Sequence, residues 1–270
     1  MPPMSRTSRT LVFVHAHPDD EALLTAGTMA RAAAEGNRVV LVIATDGAAG
    51  LTSDAFRADL AATRRAEVET SAAALGVART VSLGYPDSGL LGKVPDGFAQ
   101  AGAFTIARLL ADICDAEQAD ILVGYDPSGG YGHPDHLQVH RAVRAASVLC
   151  ARAPRLFEAT LPREPIARAA HLAARLHLTP AGFDPGEFDR AWTPRAGITH
   201  RVDVRPHRAA KQSALRAHAS QAAADGTVRT LAVLTRLPRP LQGILLGTEY
   251  YVAVSDPRAA RTSSTAVGLS

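Results

Sequence analysis

One stretch limits the architecture more than any other: RVVLVIAT, Arg38 to Thr45. Its six successive apolar residues, Val39 to Ala44, leave no face for water. Such a strand belongs inside a sheet covered on both sides, the situation created when helices cross over a parallel sheet. Asp46-Gly47 closes it. The surrounding sequence repeats one grammar: a β-branched strand from Thr10 to His15, helical spacing from Asp20 to Glu35 that stops at Gly36-Asn37, and the long helical stretch FRADLAATRRAEVETSAAALG ending at Gly76. RTVSLGY then gives a third strand before the turn PDSG. A helix from about Phe98 to Glu117, the strand ADILVGY from Ala119 to Tyr125, and a helix from near Pro134 to about Arg152 complete the series.

Strands alternating with helices at this spacing predict an α/β fold, a Rossmann-like doubly wound and mostly parallel sheet with helices on both faces. A smaller, irregular C-terminal portion follows. RLFEATL reads as a fifth strand, while Pro162 to Pro194 holds Pro, Gly and scattered acids without clean period. ITHRVDV reads as a strand, PHRAAKQSALRAHASQ as a helix with Pro206 in its first turn, and TEYYVAV as a last strand. No repeat or linker divides the chain. The expectation is one domain over 1–270, with its core at about 10–160, a C-terminal portion at about 161–256 completing the site, and a flexible tail at 257–270.

Composition closes off other classes. Lys and Arg exceed Asp and Glu by only 29 to 26 and form no block interleaved with aromatics, so no nucleic-acid groove is implied. No apolar run approaches the ~18 residues of a membrane span, and Leu11 to Val14 falls short of the ~7–15 residues of a signal-peptide core. Cys114 and Cys150 sit in Ala/Leu-rich helical patterns and read as small buried apolar residues, which suits a reducing, cytoplasmic setting.

In doubly wound sheets, ligands bind beyond the carboxyl ends of the strands, and two histidine-rich stretches fall there. VFVHAHPDDEAL places His17, Asp19 and Asp20 directly after the first strand. Taken alone, this could be helix capping, with an acid accepting backbone N–H groups, or the beginning of a metal site, with His17 and Asp20 aimed at one point. YDPSGGYGHPDHLQVH places Tyr131, His133, Asp135 and His136 after the fourth strand, in a loop whose glycines permit close backbone approach. Two His-Pro-Asp tripeptides at two strand ends on one sheet edge favour a metal site formed by His17, Asp20 and His136.

HAHPDDE followed about a hundred residues later by GHPDH resembles the PIG-L/LmbE superfamily of zinc-dependent de-N-acetylases. The likeness extends through TDG (Thr45–Gly47), TRRAE (Thr63–Glu67), YPDSG (Tyr85–Gly89) and KQSALRAHASQ (Lys211–Gln221), and covers most of the chain. The resemblance implies a single Zn²⁺ held by His17, Asp20 and His136, a site that Fe²⁺ could also fill. It implies Asp19 as general base and His133 as oxyanion stabiliser and proton donor to the leaving amine. Asp135 is expected to orient His133, Tyr131 to add a second hydrogen bond, and Arg65 (or its neighbour Arg64) and Asp87 to contact substrate. Three protein ligands leave a tetrahedral zinc one open position for water, whose pKa the cation lowers toward ~7.

The expected activity is removal of an N-acetyl or N-acyl group from an amino-sugar small molecule, releasing acetate and a free amine. Alternatives are an amidase on a larger amide, such as a mycothiol conjugate or acylated antibiotic intermediate, and, in a different class, a non-catalytic sugar- or nucleotide-binding module. No G-x-G-x-x-G or Walker loop follows the first strand, which counts against the last. A homo-oligomer is compatible with the sequence. Many relatives carry an acid directly after the TDG position, where this chain has Ala48-Ala49; the expectation is a substrate different from the glucosaminyl-inositol of the mycothiol pathway. The segment 162–194 is expected to shape the acyl or aglycone pocket.

Overall fold

The computed structural model describes residues 8–48, 59–179, 182–222, 242–243 and 245–254. The tail after Asp256, expected to be loose, lies outside them, as does the start of the helix expected from Phe56. Five strands run parallel: β1 (Thr10–His15), β2 (Arg38–Thr45), β3 (Arg79–Tyr85), β4 (Ile121–Tyr125) and β5 (Arg155–Thr160). Two more extend the sheet, β6 (His200–Asp203) and β7 (Thr248–Ala253), with β7 antiparallel to both β5 and β6. The strand order is β3-β2-β1-β4-β5-β7-β6. Its sense reverses between β1 and β4, so the crossovers diverge there and leave a crevice at the carboxyl ends of these two strands.

The helices are α1 (Asp20–Leu24), α2 (Ala26–Ala34), α3 (Leu60–Leu75), α4 (Ala103–Ala116), the single turn α5 (Gly129–Gly132), α6 (Pro134–Leu149), α7 (Arg163–Arg175), α8 (Arg208–Ala217) and the short α9 (Ala219–Ala222). They cover both faces, as the apolar run of β2 requires: Val39 through Ala44 are at most 3% exposed. Val12, Val14, Val40 and Val42 pack with Ile106 and Leu110 of α4 and with Val139 and Val143 of α6. The alternate residues Leu11, Phe13, Val39 and Leu41 pack with Met29 of α2, Val68 and Leu75 of α3, and Leu215 of α8. The two-residue period of the strands thus feeds two separate cores. Cys114 and Cys150 are buried, and none of the described helices is long and apolar enough to cross a membrane.

Three elements differ from the sequence expectation. The helix from Asp20 to Glu35 is broken at Thr25, whose Oγ1 meets His15 Nε2 at 2.8 Å. The freed N-terminus of α2 is capped by the Glu249 carboxylate, which accepts the N–H groups of Gly27 and Thr28, each at 2.8 Å. The helix from Phe98 is a short turn over Phe98–Gln100, with α4 beginning after Gly102. Pro162 to Pro194 is not irregular throughout: it contains α7, which buries only Ala167 and Ala170. Alanines give a weak apolar period, and Pro165 fits because it stands in the first turn.

Candidate active site and metal centre

The site grows from the adjacent ends of β1 and β4. Tyr125, the last residue of β4, is buried; its hydroxyl accepts the Ala16 N–H at 2.9 Å and donates to Asp20 Oδ2 at 2.6 Å. One phenol thereby joins the two strand ends. The His136 ring, in the first turn of α6, stacks on the Tyr125 ring with centroids 4.2 Å apart. His17 follows β1, and its N–H donates to Asp20 Oδ2 at 2.9 Å.

These contacts bring three donor atoms together. His17 Nδ1, Asp20 Oδ2 and His136 Nε2 form a triangle with all three edges 3.3 Å. The opposite ring nitrogens assign the tautomers. His136 Nδ1 lies 3.2 Å from the Gly129 carbonyl, which only accepts, so Nδ1 carries the proton and Nε2 offers a lone pair. His17 Nε2 lies 3.0 Å from Asp135 Oδ2, which leaves Nδ1 as the lone pair. Two lone pairs and a carboxylate oxygen facing one another call for a cation between them. Bonds of ~2.0–2.1 Å at tetrahedral angles separate neighbouring ligands by ~3.3–3.4 Å, so the donor set fits zinc in both spacing and chemistry.

His133 is also within ligand range, since donor atoms of His17, His133 and His136 all lie within 4.8 Å of one another. The triangle that includes Asp20 has edges of 3.3 Å. Burial alone favours neutral His17, yet the carboxylates of Asp135, Asp20 and Asp87 draw its pKa well above the ordinary value. The pocket attracts positive charge, whether proton or metal.

Asp19 stands beside the triangle without joining it. Its backbone has φ 119°, ψ −26°, in the region that favours glycine, and although it occupies the N-cap of α1 its side chain makes no capping bond. Burial and the neighbouring Asp20 charge push its pKa up to about 7, against the opposing pull of Arg64, His218 and His17. His133 caps α6, its Nδ1 accepting the Asp135 N–H at 3.2 Å, so the proton of the neutral ring sits on Nε2. Burial and the nearby imidazoles of His17 and His136 hold its pKa down at about 4. Tyr131 is 49% exposed at the mouth, its ring 6.0 Å from that of His133; burial of its hydroxyl and the surrounding carboxylates keep the phenol protonated. Asp87 Oδ1 lies 3.5 Å from His17 Nε2 and accepts the Gly89 N–H at 2.8 Å.

Two expectations need correction. Asp135 does not orient His133 through its carboxylate, which instead accepts His17 Nε2 and, at 3.1 Å, the Ser88 N–H. Only its backbone N–H reaches His133, because a residue two places into a helix offers that N–H to the cap. Arg65 is exposed on α3, whereas Arg64 is buried and donates from Nη1 to the Gly47 carbonyl at 2.6 Å. A Cβ at Gly47 would lie 2.0 Å from that Nη1, so the loop after β2 and Arg64 fit only with glycine there. The structure also brings in residues that the sequence did not single out: Tyr125, at the end of an apolar strand, Glu21 within the first motif, and Ser71 on α3. His218 belongs with them, in a late motif quoted above without a role.

Comparison with known proteins gives a consistent set of likenesses. Residues 12–147 match the PIG-L family, described as GlcNAc-PI de-N-acetylase. The chain is 38% identical over 263 residues to a 1D-myo-inositol 2-acetamido-2-deoxy-alpha-D-glucopyranoside deacetylase of Acidothermus cellulolyticus, covering 90% of this chain and 88% of that one. Among solved structures it resembles the N,N'-diacetylchitobiose deacetylase of Pyrococcus horikoshii, with TM-score 0.57, 22% identity and coverage of 92% and 83%. The 4-carboxy-2-hydroxymuconate hydratase GalB of Pseudomonas putida KT2440 is equally similar, with TM-score 0.58, 17% identity and coverage of 92% and 97%. A hydratase among the neighbours means that these structural likenesses speak to the fold alone.

Proposed function

The chain belongs to the PIG-L family, and on that premise we propose that it is a zinc-dependent hydrolase that removes the N-acetyl group of an amino-sugar conjugate, releasing acetate and a free amine. The observation that carries this reading is the 3.3 Å triangle of His17, Asp20 and His136 with a carboxylate beside it left uncommitted. These three residues would hold the ion. When bound, it supplies a Lewis acid for the amide oxygen and lowers the pKa of water. Fe²⁺ suits the same donors.

The remaining steps belong to side chains. Asp19, with a pKa of about 7, accepts the proton of the attacking water near neutral pH. His133, neutral and protonated on Nε2, donates to the amide oxygen as it becomes anionic, and the Tyr131 hydroxyl adds a second donor. Collapse requires a proton on nitrogen, because an amide anion is too poor a leaving group. Asp19 now carries that proton, whereas a ring with a pKa of about 4 is a poor reservoir, so the acid in the second half-reaction is the base of the first. Asp135 fixes His17, and Arg64 and Asp87 would meet sugar hydroxyls.

The relative from Acidothermus cellulolyticus names the first substrate to try, an N-acetylglucosaminyl-inositol. One observation favours a different aglycone: Ala48 is exposed just past β2, where it offers no acceptor to a polyol. The segment 162–194 also reaches the site, since a Cβ on Gly130 would lie 2.6 Å from the Trp192 ring and the Trp192 N–H donates to the Gly130 carbonyl at 2.7 Å. We assign that segment to the wall facing the acyl or aglycone group. Cys114 and Cys150, buried as small apolar residues, suit action in the cytoplasm. The test is release of acetate and primary amine by zinc-loaded protein across N-acetylglucosaminides with polyol and apolar aglycones and longer acyl chains. No turnover on any member, in protein holding one zinc per chain, would refute the reading.

A further inference from the structure

Glu21 is 0% exposed, follows a metal-site residue, and has no place in the reaction described above. Its Oε2 accepts the Asp19 N–H at 3.0 Å, and Oε1 accepts the Ser71 hydroxyl at 2.7 Å and His218 Nε2 at 2.6 Å. His218, also 0% exposed, arrives at the end of α8 from 197 residues away. Its segment is fastened in turn to α3, because the N–H and hydroxyl of Ser220 both donate to the Glu67 carboxylate, each at 2.7 Å. Three elements, α1, α3 and α8, therefore meet behind one backbone N–H.

That N–H belongs to a residue held against its own preference. An aspartate at a helix N-cap ordinarily takes extended backbone angles and turns its carboxylate onto the N–H groups of the first turn. Asp19 has φ 119° and makes no such bond. Were it to relax, the carboxylate would fold onto α1 and be lost to the crevice.

We propose that Glu21, braced by His218 and Ser71, is a positioning residue: by holding the Asp19 N–H it keeps that backbone left-handed, which denies Asp19 its cap and leaves its carboxylate free for the substrate. The inference rests on the reading of Asp19 as the base. A purely structural role makes a different forecast, and the molecule contains a matched control. Lys211 Nζ and Glu249 Oε1 form a second buried pair, also at 2.6 Å and with side chains 3% and 2% exposed; Lys211 also donates to the Leu23 carbonyl of α1 at 3.0 Å, and the bonds of the pair run to Leu23, Gly27 and Thr28 rather than to Asp19.

The experiment measures kcat, KM, zinc per chain and Tm for the wild type and for Glu21→Met, Glu21→Gln, Ser71→Ala, His218→Gln and Lys211→Met. Glu21→Met should lower kcat about 10²-fold, the loss expected when a reacting group moves by about 1 Å, with KM and zinc content unchanged. Glu21→Gln keeps an oxygen for the Asp19 N–H and should recover most of that loss, and Ser71→Ala and His218→Gln should each lose several-fold. Lys211→Met should lower Tm with kcat unaltered. A folded, zinc-loaded Glu21→Met with wild-type kcat would overturn the proposal, as would kcat losses that only track zinc loss. If Glu21→Met does not fold, wild-type kcat in both Ser71→Ala and His218→Gln overturns it instead. A wild type that hydrolyses no amide withdraws the catalytic reading and this inference with it, whereas an active wild type with unaffected variants removes this inference alone.

Discussion

Tyr125→Phe separates binding of the metal from the chemistry more cleanly than any ligand substitution, because it removes one oxygen and leaves all three donor side chains in place. The hydroxyl donates to Asp20 Oδ2 and accepts the Ala16 N–H, and burial together with the Asp20 charge keeps it protonated far above neutral pH. Its loss strands a buried N–H and deprives Asp20 Oδ2 of one of two hydrogen bonds, the survivor being from the His17 N–H. An orphaned buried donor costs about 1–3 kcal/mol, and a lost bond to a charged group about 1.5–3 kcal/mol. Since Asp20 keeps one partner, we expect about 2–4 kcal/mol in all, a fall in Tm of roughly 5–15 °C for a chain of this size. With the carboxylate less firmly oriented, zinc affinity should drop about 10–100-fold, the usual effect of removing a group that supports a ligand. Assayed at saturating zinc, kcat should stay within about threefold of wild type, because the phenol touches none of the groups assigned to proton transfer. The assay is competition for zinc with a fluorescent chelator, paired with thermal unfolding of the metal-free protein. Unchanged zinc affinity and unchanged Tm would refute the argument that Tyr125 ties the strand ends together.

Asp19→Ala should retain one zinc per chain and lose about 10²–10⁴-fold in kcat, whereas His136→Ala should lose both metal and turnover; elemental analysis beside the amine assay distinguishes them. Arg64→Ala should raise KM at least tenfold and Arg65→Ala should leave it unchanged, because only the first is buried against the loop after β2; the opposite ranking in a KM measurement refutes the assignment. The Glu21–His218 pair should shape stability against pH. Burial disfavours the His218 cation, but Glu21 outweighs it and raises the pKa from 6.5 to about 9; in Glu21, burial is outweighed by His218, lowering its pKa from 4.5 to about 2. The His218 contribution is thus full below pH 6.5 and lost as pH rises through about 9, and the Glu21 contribution is full above pH 4.5 and lost as pH falls through about 2. The Tm difference between wild type and His218→Gln should therefore shrink from pH 6.5 to pH 9, and a constant difference would contradict the pairing.

How much of this was legible in the sequence depended on how local each cause is. The two-faced strand at Arg38–Thr45 announced a covered parallel sheet because burial of every residue from Val39 to Thr45 leaves a pattern within eight positions. The two His-Pro-Asp stretches announced the crevice because strand ends are local too. Helix phase was harder. Arg64 and Arg65 differ by one position on α3, and which of them faces the loop after β2 depends on packing of the whole helix against α8 and the sheet. The target of Asp135 was hidden for a related reason: its carboxylate crosses to His17, 118 residues away, while its backbone N–H serves its neighbour. The Glu21–His218 pair spans 197 residues and has no period at all. α7 escaped because alanine buries too little to mark a face.

The three successive acids Asp19, Asp20 and Glu21 show what such pairing achieves. Side by side and little exposed, they should resist ionising together, and in an unadorned turn all three pKa values would rise. Instead each is matched differently. Asp20 faces the imidazoles of His136 and His17, and positive charge on those rings overcomes its burial and holds its pKa well below the carboxylate range. Glu21 faces His218 and Ser71 and falls to about 2. Asp19 meets its countercharges Arg64, His218 and His17 through space and sits next to a neighbour that stays ionised, so it alone rises, to about 7. The ordering follows from direction: a left-handed residue ahead of a helix sends consecutive side chains to different surroundings, and shifting α1 by one residue would turn every one of them by about 100°. A single inserted alanine between Asp19 and Asp20 should then abolish zinc binding without removing any acid, since Asp20 would leave the triangle while the full set of charges remained. That result distinguishes a site defined by geometry from one defined by accumulated negative charge, which the insertion would leave able to hold the ion.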